Sequence, residues 1–248
     1  MEYKGKVAFV SGGTRGIGLS IAEKLAEKGV NIFMTYFRSR EDAKTAEIKI
    51  KSYGVKCVSH RANMGNADQV VQTFEKIKED YGKLDIIVSN AALGLYTDMM
   101  NIDRKAWELS MHTNARAFLQ SVQLGVPMMG EDSRIVALSS LGSIKYIPGY
   151  AAIGVSKAAI ENMVRYTAIE MAPKKISVNC VSGGFIDTSA LKVFPNFEEM
   201  KRRVIERTPY NRIGKPEEVA DVVVFLCGRG ASWITGQTII VDGGYSLT

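Results

Sequence analysis

Short runs of consecutive apolar residues alternate along this chain with longer segments whose apolar positions recur every three or four residues. Lys6–Val10 (KVAFV) reads as a strand, followed by a glycine-rich turn and a helix from about Ile17 to Lys28. Val30–Tyr36 predicts a second strand and Glu41–Tyr53 a charged amphipathic helix. Val55–His60 follows as a third strand, then a helix over Asn66–Tyr81 with Val70, Phe74 and Ile77 on one face. Leu84–Ser89 and Arg134–Ser139 predict the fourth and fifth strands, separated by a long helix within Arg104–Met129. A helix over Tyr150–Met171, a strand over Ile176–Val181, a helix over Pro216–Cys227 and a last strand over Thr238–Val241 complete the series. Strands that are apolar at successive positions are buried on both faces, which marks a parallel sheet covered by helices on each side. The rhythm therefore predicts a single α/β domain over residues 1–248, built as an open, doubly wound parallel sheet with right-handed crossovers. The segment Asp187–Ile213 breaks the rhythm late in the chain and predicts a lid beyond a strand end.

Composition changes little in this picture. Of 248 residues, 46% are hydrophobic and 23% charged, as in ordinary globular chains, which excludes disordered and collagen-like classes. No apolar run approaches the ~20 residues that span a bilayer, and the start MEYKGKVAFVSGG lacks a signal-peptide layout, so a cytoplasmic protein is expected. Cys57, Cys180 and Cys227 are isolated in apolar runs, and His60 and His112 have no acidic or cysteine cluster around them, so no disulfide framework or metal site is expected. The net charge of +6 accompanies no nucleic-acid-binding motif and no long basic run, so it points to a solvated surface or an acidic partner.

The first candidate site is Ser11-Gly12-Gly13-Thr14-Arg15-Gly16-Ile17-Gly18, directly between a strand and a helix. Glycine is needed where the chain turns sharply and where backbone approaches a pyrophosphate, and the helix N-terminus offers free N–H groups to phosphate. The Gly-x-x-x-Gly-x-Gly spacing resembles that of the short-chain dehydrogenase/reductase superfamily, and the resemblance runs over essentially the whole chain. Asn90-Ala91-Ala92 stands where the family has Asn-Asn-Ala-Gly after the fourth strand, with Ser89 replacing the first Asn and Ala92 the Gly. Asn114 falls at a family helix asparagine, and Val241-Asp242-Gly243-Gly244 closes the last strand. The resemblance implies a Rossmann-type fold, pyrophosphate contacts from Gly12, Thr14, Arg15, Gly16, Ile17 and Gly18, and further dinucleotide contacts at Asn90 and Ala91.

The end of the second strand bears on the cofactor. An acidic residue there takes the ribose hydroxyls of NAD and repels a 2′-phosphate. Here the sequence runs Thr35-Tyr36-Phe37-Arg38, with no carboxylate until Glu41. Arg15 and Arg38 provide two guanidinium groups for a phosphate, which predicts NADPH; the alternative is that both are solvated surface arginines. By resemblance Phe37 and Arg38 flank the adenosine ribose, and Asn63-Met64 lies at the adenine.

The proton donor has unusual spacing. Family members that reduce ketones carry Tyr-x-x-x-Lys, but the residue four before Lys157 is Ile153, and Tyr150 precedes the lysine by seven. Separations of four and seven share a helix face, so Tyr150 is expected about one turn, roughly 5 Å, along the axis. A displaced acid suits a 2-enoyl thioester, in which hydride goes to C3 and charge develops on the thioester oxygen. Tyr150-x6-Lys157, Ser139–Tyr146, Gly154–Lys157 and Val181–Thr188 (VSGGFIDT) together resemble enoyl-acyl-carrier-protein reductases of type III, including Gly183-Gly184 where others have Pro-Gly. That resemblance implies an enoyl reductase of bacterial-type fatty acid synthesis. In it Tyr150 is the acid, Lys157 bonds the nicotinamide ribose, Ser140 lines the pocket, and Gly184, Ile186 and Thr188 lie toward the nicotinamide. Two alternatives stay open: an NADPH-dependent carbonyl reductase acting on 3-oxoacyl or other ketones, and a non-catalytic nucleotide-sensing protein. Tyr146 is a rival donor.

Apolar Leu191, Val193, Phe194, Phe197 and Met200 in the lid suit either an acyl chain or packing on the body, and Lys201-Arg202-Arg203 suits either an acidic acyl-carrier partner or solvent. The resemblance also implies a homo-oligomer, commonly a tetramer.

Overall fold

The computed structural model of the protein describes residues 3–189 and 197–248. Seven strands, β1 (Val7–Val10), β2 (Asn31–Tyr36), β3 (Cys57–Arg61), β4 (Leu84–Ser89), β5 (Met129–Ser140), β6 (Ser177–Gly183) and β7 (Thr238–Val241), form one sheet in the order β3-β2-β1-β4-β5-β6-β7. Every neighbouring pair is parallel. The flanking helices are α1 (Gly16–Glu27), α2 (Arg40–Lys51), α3 (Ala67–Tyr81), α4 (Arg104–Ser110), α5 (Ala117–Gly125), α6 (Ala151–Met171), α7 (Phe197–Arg207) and α8 (Pro216–Leu226). Among the described residues no helix is long and apolar enough to cross a membrane.

The doubled burial of the strands explains their continuous apolar character. Ala8 and Val10 of β1, with Val136 and Leu138 of β5, face one layer, where Ile21 and Leu25 of α1 pack with Val219 and Val223 of α8. The intervening Val7, Phe9, Ile135 and Ala137 face the other layer, formed by Phe74 and Ile77 of α3, Phe118 and Val122 of α5, and Ile160 and Val164 of α6. Helix starts are set by side chains that accept orphan backbone N–H groups. Ser39 Oγ accepts from Asp42 N at 3.2 Å, Asn66 Oδ1 from Gln69 N at 3.0 Å and Asp103 Oδ1 from Ala106 N at 2.7 Å. Gly82, at φ 69°, ends α3 in the left-handed region.

Three expectations are sharpened. The long helix within Arg104–Met129 is continuous from Arg104 to Gly125 but not uniform: Met111–Arg116 is a π-helical turn between α4 and α5, and a 3₁₀ turn over Val126–Met128, containing Pro127, ends the helical run. Strand β5 begins at Met129 rather than Arg134, because Met129 already pairs with Leu84 before an irregular stretch and the main register from Arg134 against Ile86. Tyr150 is the residue before α6, at φ −103° and ψ 11°, not a member of its first turn. The segment after β6 is only partly described; it contains α7, and Leu191, Val193 and Phe194 lie outside the described residues.

The chain crosses from one side of the sheet to the other between β1 and β4, and a crevice opens beyond the carboxyl ends of those strands. Truncating the core that holds this geometry is costly. Phe118→Ala removes a fully buried ring from the layer beneath β4 and β5 and should lower the unfolding free energy by about 3–5 kcal/mol. Ile48→Ala, at a position 71% exposed on α2, should change it by less than about 0.5 kcal/mol; urea denaturation of both variants checks this.

Candidate active site

The loop after β1 is held from both sides. Gly12 N donates to Thr35 Oγ1 at 3.2 Å and Gly13 N to the Thr35 carbonyl at 3.1 Å. On the β4 side, Asn90 Nδ2 donates to the Ser11 and Gly12 carbonyls at 3.0 and 3.1 Å, while Ser11 Oγ accepts from the N–H groups of Asn90 and Ala91, both at 3.0 Å. Gly18 leaves no room for a side chain: a Cβ there would strike the Gly12 carbonyl and the Asn90 amide. Helix α1 begins behind this loop with no side-chain cap and no acidic residue in its first turn. Its first N–H groups and the positive end of its dipole are thus directed at the crevice, an arrangement suited to phosphate.

A cavity of about 410 Å³ extends from that loop in both directions. It gathers every residue assigned from the sequence to the dinucleotide or the chemistry: Gly12, Thr14, Arg15, Gly16, Ile17, Gly18, Phe37, Arg38, Asn63, Met64, Asn90, Ala91, Ser140, Tyr150, Lys157, Gly184, Ile186 and Thr188. At one end Arg15 and Arg38 are exposed on the rim, with the Arg38 guanidinium 5.7 Å from the Phe37 ring centroid. Asn63 uses its carboxamide locally, accepting from Gly65 N at 3.0 Å, and Met64 is buried in the core beside it.

The other end is built by an unusually close helix approach. Gly142, in the turn after β5, has no space for a Cβ because the Tyr150 ring occupies it, and a Cβ on Gly154 in the first turn of α6 would meet the Gly142 carbonyl. The two glycines let α6 press on this turn, which brings the Tyr150 hydroxyl into a hydrogen bond with Ser140. Burial pushes the Tyr150 phenol up from its ordinary value, and the Ser140 bond opposes that shift. Lys157 is buried behind them, its Nζ donating to the Leu138 carbonyl at 2.8 Å. Burial drives its ammonium down to about 8, against the pull of Cys180 and Glu161. Ile153 points away from the chemistry: it is buried against Gly94. Tyr146 is 84% exposed and does not line the cavity.

Some cavity residues went unnoticed in the sequence. Tyr96 lies with its ring 6.1 Å from that of Tyr150, and burial pushes its phenol up to about 12. It is placed by Thr97 N donating to the Gly149 carbonyl at 2.7 Å, a contact between distant segments with no local signal. Asp42 lines the arginine end from the first turn of α2. Asn114 sits in the π-helical turn, fully partnered: Oδ1 accepts from Leu93 N at 2.9 Å and Nδ2 donates to Ser156 Oγ at 2.8 Å.

Residues 12–246 match the family model described as enoyl-(acyl carrier protein) reductase. The 1-cyclohexenylcarbonyl-CoA reductase of Streptomyces collinus is 38% identical over 98% of this chain and 87% of its own length. The 3-oxoacyl-acyl-carrier-protein reductase FabG of Staphylococcus aureus is 33% identical over 96% of this chain and 97% of its own. Versicolorin reductase of Emericella nidulans is 35% identical over 97% of this chain and 95% of its own. A short-chain dehydrogenase from Burkholderia cenocepacia, solved in complex with NADP, superposes with TM-score 0.93 at 29% identity, covering 99% of this chain and 100% of that one. The chain is a short-chain dehydrogenase/reductase. It is accordingly an NAD(P)-dependent oxidoreductase with the Rossmann-like fold of that superfamily.

The expectation of an enoyl-acyl-carrier-protein reductase is corrected. Near-full-length relatives of this chain include enzymes named for 3-oxoacyl reduction, the FabG proteins of Staphylococcus, which match the carbonyl-reductase alternative. Tyr150 caps the N-terminus of α6, its carbonyl accepting from Gly154 N at 2.7 Å, and its hydroxyl is bonded to Ser140.

The residues present fit a dinucleotide, as the Gly18 cradle that a Cβ would fill and the uncapped α1 terminus both show. Because Gly142 seats the Tyr150 ring, Gly142→Ala should displace that phenol and lower kcat about 100-fold, leaving affinity for the nicotinamide cofactor nearly unchanged. Steady-state kinetics and cofactor fluorescence titration read the two effects separately.

Proposed function

We propose that this protein is an NADPH-dependent carbonyl reductase acting on an apolar ketone, with a 3-oxoacyl thioester as the leading substrate class. The observation that carries the reading is the Ser140–Tyr150 hydrogen bond with Lys157 buried behind it in one cavity. Two hydroxyls that meet in this way can both address one carbonyl oxygen, which is what reduction at the carbonyl carbon requires. Bound NADPH supplies the hydride. Ser140 orients the substrate oxygen and shares its developing charge. Tyr150 delivers the proton to that oxygen, its raised phenol remaining protonated and available as an acid. Lys157, charged below about pH 8, favours the phenolate that remains after proton transfer, and its position below the cavity suits a bond to the nicotinamide ribose.

Leu93, Tyr96, Leu141, Ile147 and Phe185 line the wall around Tyr150, which supports an apolar substrate. The mouth nearby is basic. Lys145 and Arg207 stand 5.5 and 5.1 Å from the Tyr245 ring centroid, and Tyr245 in turn contacts Phe185, with centroids 5.2 Å apart. That mouth supports a thioester carried on an acidic acyl-carrier protein. The Lys201–Arg203 cluster contributes less, since Arg203 pairs with Glu199 and Lys201 lies 5.8 Å from the Phe197 ring centroid. Exposed Leu119, Tyr166 and Ile169 on α5 and α6 support a homo-oligomer built on those helices.

The test is NADPH oxidation with acetoacetyl thioester, with crotonyl thioester as control. Wild type should turn over the ketone, and Tyr150→Phe should lose about 10²–10⁴-fold in kcat; no turnover of the ketone, or full activity in the variant, overturns the reading. At the other end of the cavity, the double variant Arg15→Ala with Arg38→Ala removes both rim guanidiniums. Loss of charge-assisted bonds at roughly 1.5–3 kcal/mol each should weaken NADPH binding by at least tenfold and leave NADH binding nearly unchanged, as measured by fluorescence titration.

A further inference from the structure

Helix α6 carries a second ionisable side chain on its buried face. Glu161 follows Lys157 by four residues, so both project to the same side of the helix, and Glu161 is only 5% exposed. It does not line the cavity; it stands behind it. Its Oε1 accepts hydrogen bonds from Ser139 Oγ at 2.6 Å and Ser143 Oγ at 2.5 Å. Ser143 Oγ also lies 2.8 Å from the Ser140 carbonyl oxygen. One carboxylate oxygen thereby holds both ends of the short segment whose middle presents the Ser140 hydroxyl to Tyr150.

A carboxylate is an expensive side chain to bury, and tethering two serines could be done by a neutral amide. The reason for a charge lies in Lys157. The ionisable groups acting on that ammonium are Cys180 of β6 and Glu161 of its own helix, and its direct partner on β5 is the uncharged Leu138 carbonyl. Burial pushes the Cys180 thiol up to about 12, so below that pH it brings no charge to the site. That leaves Glu161, on the same buried face of α6, as the acidic side chain beside the ammonium.

We propose that Glu161 is a positioning residue of the reductase: its carboxylate clamps the Ser139–Ser143 turn so that Ser140 stays on Tyr150, and it supplies the counter-charge that keeps buried Lys157 an ammonium. The inference rests on the carbonyl-reductase reading for its kinetic consequences, but not for its electrostatic ones.

Glu161→Gln keeps the size and hydrogen-bonding capacity of the side chain and removes the charge. In this variant the alkaline fall of kcat/KM for acetoacetyl thioester should begin about one pH unit lower than in wild type. The pH at which NADPH affinity declines, read by fluorescence titration from pH 6.5 to 10, should move by the same amount. Ser143→Ala, which removes one tether and keeps the charge, should lower kcat several-fold without moving the alkaline limb. Glu161→Asp, also charged, should retain the wild-type limb and serves if Glu161→Gln does not fold. Superposable pH dependences of NADPH affinity in wild type and Glu161→Gln overturn the proposal, as does a Glu161→Asp limb displaced like that expected of Glu161→Gln. Should wild type fail to reduce the ketone, the functional reading falls, while the NADPH titration still decides the role of Glu161.

Discussion

The close approach of α6 to the turn after β5 is the contact on which the chemical end of the molecule depends. It requires Gly142 on one side and Gly154 on the other, since a Cβ at either position would occupy space already taken by the Tyr150 ring or by backbone. With that space available, the phenol settles against Ser140, and the first turns of α6 carry Lys157 under the sheet edge to the Leu138 carbonyl. Interiors are close-packed and do not yield to an added methyl without moving their neighbours. The site is therefore held by sterics first, and hydrogen bonds refine a position that packing has already imposed.

Charge is distributed along the cavity in a matching order. The uncapped start of α1 and the rim arginines give the nucleotide end a positive field without burying a cation. At the chemical end the cation is buried, and burial alone weakens it toward the neutral form. A buried lysine next to a phenol is useful only while it stays charged, so the carboxylate behind it belongs to the same electrostatic unit even though it touches neither substrate space nor cofactor space. Both ends lie beyond the carboxyl edge of the sheet, near the point where strand order reverses, and the seven-stranded topology makes that crevice continuous.

Much of this was legible in the residues. Alternate burial of Ala8 and Val10 against Val7 and Phe9 is the two-faced burial that an unbroken apolar strand implies. The glycine loop announced itself by spacing and by its place between strand and helix, and the residues assigned to the dinucleotide do converge on one cavity. The bond to be reduced was misread from the same residues. Counting seven positions from Tyr150 to Lys157 places the tyrosine along the axis of α6 but says nothing of what its phenol meets there, which is Ser140. Tyr96 escaped notice because its placement depends on a bridge to Gly149, more than fifty positions away. Glu161 did leave a signal: a carboxylate on the helix face shared with Ile153, Lys157 and Val164 is out of place unless something within the protein partners it.

By itself the sequence determined the layered architecture, the nucleotide loop and the superfamily, because these are written in periodicities and spacings of neighbouring residues. Only the tertiary structure decided that Ile153 turns into the wall against Gly94, that Tyr150 meets Ser140, and that Glu161 joins Ser139 to Ser143 behind Lys157. Those outcomes depend on how closely one segment can approach another far away in the chain. That distance is set by the side chains absent at Gly142, Gly154 and Gly94, and no local pattern carries it.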